Sequence, residues 1–248
     1  MSRFLILVYG ICSYIVGLGG LIFFILFIGG WDFLPIHIDS GTPGPLGIAL
    51  LINVGLVLLF GLQHSVMARP GFKAIWTQVI PKAAERSTYV LLSGVILCLI
   101  SLYWQALPGT LWHIDYPILR TAITVVQLLG WTLLVMASFV INHFELFGLQ
   151  QVYFNFVNQP EPTPTFTDRF LYKLVRHPIQ LGVLIGIWFA PTMTLTHLML
   201  STTMSVYIFI GLYYEERDLM ATLGQEYKDY MGQVSRLLPL PTRSPSAK

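Results

Sequence analysis

The chain has 248 residues, of which 55% are hydrophobic and only 10% are charged. Soluble domains carry about 25% charged residues and need polar side chains to cover their cores. This composition excludes a soluble enzyme, a disordered protein and a nucleic-acid-binding protein, and it indicates an integral membrane protein whose first partner is the lipid bilayer. The net charge of +2 is too small to indicate an acidic partner.

Five intervals without charged residues predict the membrane helices, because each exceeds the roughly 20 residues that a helix needs to cross a bilayer. They are residues 4–31, 40–68, 87–114, 121–144 and 178–214. The last interval would form a helix about 55 Å long, and the Pro-Thr-Met-Thr run at 191–194 predicts a break within it. We therefore expect an all-α membrane protein with four transmembrane helices followed by a helical hairpin, whose arms are residues 179–190 and 195–214, giving five to six spans.

The distribution of Lys and Arg predicts the orientation, since cytoplasmic loops are enriched in these residues. With the N-terminus placed inside, 13 of the 14 basic residues fall on one side, and Arg120 is the exception. Both termini are therefore predicted to be cytoplasmic. On this map, His64, His143 and His177 lie at cytoplasmic helix ends, so we expect the chemistry at that face.

Polar clusters near the predicted inner boundary hold the candidate functional residues. They are Gln63-His64-Ser65, Glu85-Arg86-Ser87-Thr88-Tyr89, Asn142-His143-Phe144-Glu145, and a split cluster of Arg176-His177-Pro178 with Glu215-Glu216. The hairpin arms are antiparallel, so the two parts of the split cluster return to one depth. This notch would hold an amphipathic cofactor with hydroxyl, amine and carboxylate groups, or would serve as a salt-bridge cluster that anchors the hairpin.

The tail contains Tyr227 and Tyr230, which share one face of a short amphipathic helix because they are three residues apart. Such a helix would cover the hairpin as a lid or lie at the membrane interface with aromatic anchors. The stretch 151–167, with Pro160, Pro162 and Pro164, is expected to be a flexible loop that gates the site or serves as a linker.

The order Arg176-His177-Pro178-x-x-x-Gly182, an apolar hairpin, Glu215-Glu216-x-x-Leu219 and Gly224-x-x-Tyr227-x-x-Tyr230 resembles the membrane methyltransferase family of isoprenylcysteine carboxyl methyltransferase and its prokaryotic relatives. The match covers roughly residues 170 to 240. The resemblance implies that this hairpin binds S-adenosyl-L-methionine at the cytoplasmic boundary. Gln180 departs from the pattern, because the family commonly has Tyr there.

By this resemblance, a set of hairpin and tail residues is expected to contact or surround the cofactor. The set is Arg176, His177, Pro178, Gln180, Leu181, Glu215, Glu216, Tyr227 and Tyr230. We interpret residues 1–248 as a single membrane domain, with the helices of 1–144 on the substrate side and residues 170–240 as the cofactor-binding hairpin and tail helix.

The clusters at Gln63-His64-Ser65, Glu85-Arg86 and His143-Phe144-Glu145 resemble the narrower branch that contains methanethiol S-methyltransferase, which makes dimethyl sulfide in bacteria. The branch also includes proteins named for a link to nitrite or nitric-oxide reduction. The resemblance implies S-adenosylmethionine-dependent methylation of a small thiol in the bacterial inner membrane.

Such an acceptor needs a base, because the thiolate is the nucleophile. His64 and His143 are the candidate bases, Arg86 would stabilise the thiolate, and Tyr89 would orient Arg86. These four residues are the predicted catalytic set.

Three alternatives stay open. In the first, the acceptor is not a thiol but a carboxylate, as in isoprenylcysteine, or a lipid. In the second, the chain is a non-enzymatic factor linked to respiratory nitrite or nitric-oxide reduction. In the third, His64, His143 and His177 bind a metal, although the sequence contains no metal-binding motif. The oligomeric state is not encoded in these patterns.

Overall fold

The computed structural model describes residues 2–31, 33–163 and 166–239. Within them, five helices are long and apolar enough to cross a membrane: α1 (Arg3–Ile28), α2 (Leu46–Ala68), α4 (Glu85–Tyr103), α5 (Pro117–Ile141) and α9 (Leu195–Leu223). Shorter helices are α3 (Pro70–Trp76), α6 (His143–Leu146), α7 (Leu149–Phe156), α8 (Pro178–Trp188) and α10 (Gln225–Gln233). The predicted all-α membrane architecture, four long helices followed by a helical hairpin, is confirmed. Pro164 of the predicted loop lies outside the described residues, as do Arg243 and Lys248, two of the basic residues counted for the orientation.

The hairpin breaks where the sequence predicts, but its arms are unequal. α8 has 11 residues and is therefore about 16 Å long, roughly half of the 30 Å hydrocarbon core. Ser201 Oγ donates a hydrogen bond to the Ile187 carbonyl oxygen at 2.6 Å, which ties the second arm to the end of the first. α9 does not end at 214 as expected but continues to Leu223, so Glu215 and Glu216 lie inside a helix rather than after one.

A two-stranded antiparallel ribbon follows the third long helix, where the charge-free interval 87–114 had predicted helix. α4 ends at Tyr103, and β1 (Thr110–His113) pairs with β2 (Thr192–Thr194) in the hairpin turn. Thr110 lies opposite Thr194, and His113 lies opposite Thr192. Hydropathy alone does not distinguish a short apolar strand from the end of an apolar helix. What makes residues 110–113 a strand is backbone pairing with β2, a partner distant in sequence.

The predicted loop at 151–167 is also shorter than expected. α7 occupies residues up to Phe156, because its apolar residues pack on α1. Val152 is fully buried and lies where a side chain at Gly10 would have to go. The expected flexible stretch therefore begins only after Phe156.

The chain forms two compact units, each built from several chain segments. Unit 1 consists of the described residues within Met1–His113, Asn142–Pro164 and Thr192–Leu200, and unit 2 of those within Ile114–Ile141, Thr165–Pro191 and Ser201–Lys248. In unit 1, α1 packs so closely on α4 that a Cβ atom added at Gly20 would overlap the Gly94 backbone. The Tyr9 and Thr88 hydroxyls, 2.8 Å apart, join the same two helices. The single membrane domain expected from the sequence stays a prediction.

Unit 2 depends on a similar contact between α5 and α8. A Cβ atom at Gly182 would lie 2.6 Å from the Gly130 carbonyl oxygen and 2.7 Å from the Leu134 nitrogen. Gln127, buried in the same interface, donates its side-chain amide to the Gly186 carbonyl oxygen at 3.1 Å. Small residues allow this approach, as they do in packed membrane helices generally.

This contact predicts that Gly182→Ala destabilises unit 2, since the added methyl group meets backbone atoms that cannot rotate away. The expected loss is about 1–3 kcal/mol, measured as thermal unfolding of the detergent-purified chain by circular dichroism. Gly211→Ala is the matched control, because a Cβ atom there meets nothing within 4 Å. It should leave stability unchanged or raise it by up to about 1 kcal/mol. Equal melting temperatures for the two variants would contradict the close-contact interpretation.

Candidate functional site

Three of the four predicted catalytic residues meet in unit 1. The Tyr89 hydroxyl lies 2.7 Å from His64 Nε2, and the guanidinium carbon of Arg86 lies 4.7 Å from the centre of the Tyr89 ring. His64 is in the penultimate turn of α2, whereas Arg86 and Tyr89 share a face of the first turns of α4, three residues apart. We name His64, Arg86 and Tyr89, together with Gln63 and Ser93, the histidine–tyrosine cluster.

Arg86 is held in place by the turn that follows α5. Its Nε donates to the Leu146 carbonyl oxygen at 2.7 Å. That turn is fixed in two ways: the Asn142 side chain accepts from the Glu145 amide at 3.2 Å, and Gly148 adopts φ of 86° beside Ser87. Arg86 therefore carries its charge to Tyr89 from a fixed position.

His143, the fourth predicted catalytic residue, has a separate set of partners in unit 1. Its Nε2 lies 3.0 Å from the Tyr14 hydroxyl, and its ring stacks on Phe147 with ring centres 4.5 Å apart. Only 6% of the residue is exposed. Burial lowers the pKa of the His143 imidazole below its usual value, so the ring is neutral at neutral pH. The sequence did not predict Tyr14 as its partner, because nothing in the spacing links positions 14 and 143.

Unit 2 brings together the residues expected around a cofactor. Glu216 Oε1 accepts hydrogen bonds from Arg176 at 2.7 and 3.0 Å and lies 3.0 Å from His177 Nε2. Its other oxygen lies 3.2 Å from Nε of Arg236. With about 10% of its side chain exposed, this carboxylate is enclosed by three basic side chains. We name Arg176, His177, Glu215, Glu216 and Arg236 the carboxylate cluster.

Arg236 was missed by sequence reasoning, since it is a single basic residue in the tail without informative spacing. The structure brings it to Glu216 through backbone pairing: the Arg176 amide donates to the Ser235 carbonyl oxygen at 2.9 Å, and the His177 amide to that of Arg236 at 3.2 Å. The Arg176 side chain adds a bond from Nη1 to the Val234 carbonyl oxygen at 2.6 Å. The tail is thereby tied to the start of α8.

Glu215 differs from its neighbour in exposure and partners. Its side chain is 47% exposed, with one oxygen 3.9 Å from His177 Nδ1. Gln180, where the related family commonly has Tyr, donates its amide to the same Glu215 oxygen at 3.3 Å. Pro178 begins α8, and the Leu181 amide donates to the His177 carbonyl oxygen at 3.0 Å. Glu215 and Gln180 therefore form the accessible side of the cluster, and Glu216 forms its interior.

The tail tyrosines pack inside unit 2 instead of lying exposed at an interface. Tyr227 and Tyr230 form an apolar cluster with Val234, against which Phe166 and Leu219 pack. The Tyr230 hydroxyl donates to the Tyr172 carbonyl oxygen at 2.6 Å. The predicted amphipathic tail helix is thus present as α10, with its apolar face turned inward.

The Tyr227 hydroxyl is buried beside Arg176 and has no well-aligned hydrogen-bond partner among the described residues. Burial, and then the nearby Glu216 carboxylate, raise the pKa of Tyr227 to about 12. A buried hydroxyl without a partner costs free energy, so its presence calls for an explanation such as strain, a catalytic role or a bound water or ion.

Within the described residues, no group of three or more His, Cys, Asp or Glu side chains is placed to hold a metal ion. His64 and His143 instead pair with tyrosine hydroxyls, and His177 pairs with a carboxylate. The structure therefore offers no support for the alternative of a three-histidine metal site.

Comparison with known proteins connects this arrangement to a family. The methanethiol S-methyltransferase of Mycobacterium tuberculosis is 43% identical over 243 residues, covering 98% of this chain and 99% of the relative. That of Crocosphaera subtropica is 42% identical over 240 residues, covering 96% and 93%. Nurim from Homo sapiens is 30% identical over 175 residues, covering 67% and 66%.

No solved structure matches this chain. The sequence model of the family described as NnrU protein, in contrast, matches residues 52–227. That range includes His64, Arg86, Tyr89, His143 and much of the carboxylate cluster. The resemblance inferred from the motifs is confirmed, and the chain belongs to the NnrU protein family.

Proposed function

We propose that this chain is an S-adenosylmethionine-dependent thiol methyltransferase that converts methanethiol to dimethyl sulfide. The observation that carries the proposal is the similarity over nearly the whole chain to relatives named methanethiol S-methyltransferase, at 43% identity in one case. The histidine–tyrosine cluster and the carboxylate cluster support it, because they supply the two kinds of groups that the reaction requires.

The carboxylate cluster fits the donor in chemical type. When bound, S-adenosylmethionine supplies an electrophilic methyl group on a sulfonium whose leaving thioether is neutral. Glu215 and Gln180 would hold its hydroxyl and amine groups, since Glu215 is half-exposed and a carboxylate accepts hydrogen bonds from both. The buried Tyr227 hydroxyl would gain there the well-aligned partner that it lacks among the described residues.

Other members of the predicted cofactor set act as the frame of the site. Arg176 and Glu216 use their polar atoms on each other, on His177 and on the tail backbone. Pro178 and Leu181 give the first turn of α8 its shape, and Tyr230 locks α10 to the Tyr172 backbone. We assign these residues to the positioning of Glu215, His177 and Tyr227 for the donor.

Residues of unit 1 would prepare the acceptor. A thiol reacts as its thiolate, so a neutral imidazole is needed to take up its proton, and His64 and His143 are the candidates. The positive charge of Arg86 would stabilise the thiolate that results. Phe60, stacked on His64 with ring centres 5.0 Å apart, gives the cluster an apolar wall suited to a small uncharged substrate.

We assign the chemistry to the cytoplasmic face of the bacterial inner membrane. The placement of 13 of 14 basic residues on one side of the predicted spans supports this orientation. The three candidate histidines His64, His143 and His177 belong to the same side.

The proposal predicts that detergent-purified chain, given methanethiol and S-adenosylmethionine, releases dimethyl sulfide into the headspace, as measured by gas chromatography. Heat-denatured chain is the control. If the chain binds S-adenosylmethionine, releases no dimethyl sulfide and instead methylates an isoprenylcysteine or a lipid, that acceptor replaces the thiol as the proposed substrate. Neither binding nor product would overturn the enzyme assignment in favour of a non-enzymatic factor.

Glu215→Gln should weaken donor binding by about tenfold or more, since a hydrogen bond to a charged group contributes about 1.5–3 kcal/mol. Isothermal titration calorimetry with S-adenosylmethionine measures the change. Glu226→Gln, which makes the same substitution at an exposed position of α10, should bind as wild type does. Equal affinities for both variants would remove Glu215 from the donor site.

Tyr227→Phe separates binding from folding. Its stability at pH 7.5 should match or exceed wild type, because the lost hydroxyl is buried and has no well-aligned partner among the described residues. Donor binding should weaken roughly five- to tenfold. A fall in melting temperature at pH 7.5 with unchanged binding would contradict this role.

Alkaline unfolding provides a second check on Tyr227. Its pKa is about 12 in the folded chain against an ordinary 10, so unfolding releases a proton in this window and stability falls as pH rises from about 10 to about 12. Tyr227→Phe should lose less stability over this range than wild type. A wild-type slope in Tyr227→Phe would contradict the shift.

A further inference from the structure

Ser93, one turn beyond Tyr89 on α4, was not among the predicted catalytic residues, yet it contacts His64. Its Oγ lies 3.2 Å from His64 Nδ1, 2.8 Å from the Tyr89 carbonyl oxygen and 3.2 Å from Gln63 Oε1. A serine hydroxyl has one hydrogen to donate. Two of its three neighbours are oxygens that can only accept, so that hydrogen goes to one of them.

The orientation of Gln63 supports this assignment. Its Nε2 faces the Met67 sulfur and the Tyr89 carbonyl oxygen, each at 3.3 Å, which leaves Oε1 facing Ser93 as an acceptor. The Ser93 oxygen is then available to accept a hydrogen bond, and His64 Nδ1 is the remaining donor. The proton of the neutral imidazole is therefore on Nδ1, and Nε2 carries the lone pair.

The tautomer sets the direction of the next hydrogen bond. His64 Nε2 lies 2.7 Å from the Tyr89 hydroxyl, and with a lone pair on Nε2 the hydroxyl must donate. The Tyr89 hydroxyl is then the donor in this bond, and the guanidinium carbon of Arg86 lies 4.7 Å from the centre of the Tyr89 ring. A proton that reaches the Tyr89 oxygen can be passed on, because His64 already receives the tyrosine's hydrogen.

We propose that Tyr89, and not a histidine, is the group that contacts the thiol, that His64 is the final proton acceptor, and that Ser93 with Gln63 are positioning residues that fix the His64 tautomer. This inference rests on the proposed function and selects between the two candidate histidines. It also changes the role of Tyr89, which the sequence had suggested only as a residue that orients Arg86.

The proton and electron balance is simple. The thiol proton moves to Tyr89 Oη as the tyrosine proton moves to His64 Nε2, giving an imidazolium that donates to Tyr89 and Ser93. The thiolate electron pair forms the new sulfur–carbon bond with the donor methyl group, and the pair of the broken bond stays on the leaving thioether sulfur. The imidazolium then releases its proton to water, so each turnover frees one proton.

The first test reads the tautomer directly, without turnover. Chain labelled with ¹⁵N-histidine in detergent micelles is measured by long-range ¹H–¹⁵N correlation, with the His64 signals assigned from their loss in His64→Gln. Wild type should show the Nδ1–H tautomer, and Ser93→Ala should shift the population towards Nε2–H. An Nε2–H tautomer in wild type would overturn the proposal.

The second test compares two thiols of similar size but different acidity. Tyr89→Phe, which keeps the ring below Arg86, should lower kcat for ethanethiol roughly 100-fold, and Ser93→Ala roughly five- to tenfold. Relative to wild type, both losses should be smaller by about threefold or more with 2,2,2-trifluoroethanethiol, because that thiol is more acidic and depends less on a base. Ser93→Thr, which retains the hydroxyl, should recover most of the ethanethiol rate.

Ser101→Ala is the matched control, since Ser101 is also buried in α4 and donates to the carbonyl oxygen four residues earlier, that of Leu97, at 2.9 Å. It should leave both rates within twofold of wild type. If Ser93→Ala behaves like Ser101→Ala, or if its loss is the same for both thiols, the positioning role is wrong while the methyltransferase assignment stands. Absence of product from methanethiol with wild type would instead contradict the proposed function itself.

Discussion

The buried carboxylate of Glu216 is the interaction on which unit 2 depends. One oxygen takes hydrogen bonds from Arg176 and faces His177, and the other faces Arg236. These groups come from α9, from the chain before α8 and from the tail. Removing one partner of a buried ion pair costs about 3–5 kcal/mol, because the remaining charge is left without compensation. The cluster therefore fixes the start of α8 against α9, and with them Gln180 and Glu215, the accessible groups proposed to meet the donor.

The same reasoning separates residues that hold a site from residues that act in it. Arg176 and Glu216 use their polar atoms on each other, on His177 and on carbonyl groups of the tail, so they have little capacity left for a ligand. Glu215 and Tyr227 show the opposite pattern: Glu215 is half-exposed, and Tyr227 is buried without a well-aligned partner among the described residues. In unit 1, Ser93 and Gln63 are proposed to position the group that acts, Tyr89, just as Arg176 is proposed to position Glu215 in unit 2. Loss of activity on substitution would therefore not distinguish the two groups, whereas ligand affinity and stability measured together would.

Much of this arrangement could be predicted from the sequence, because hydrophobicity and charge determine where a chain crosses a membrane. The helix positions, the break at residues 191–194 and the meeting of Arg176 and His177 with Glu216 follow from spans and antiparallel arms. Contacts that depend on the rotation of one helix against another could not be predicted. Nothing in the spacing pairs His64 with Tyr89 or His143 with Tyr14, and the pairing of β1 with β2 joins segments about 80 residues apart in a way that hydropathy does not reveal. Arg236 and Ser93 were missed for the same reason, since each matters only through a neighbour distant in sequence.

The backbone pairing of the tail with residues 175–177 has a consequence for biosynthesis. Val175 bridges to Ser235, and Arg176 donates to the Val234 carbonyl oxygen, so the cluster joins positions about 60 residues apart. Translation proceeds from the N-terminus, and a helix can enter the membrane before the segments that it will contact have been made. The long helices can thus be inserted while the carboxylate cluster is still incomplete, and the cluster closes only after residues 234–236 have been made. Until residues 234–236 have been made, Glu216 therefore lacks its contact with Arg236, and Arg176 lacks its carbonyl acceptor in the tail.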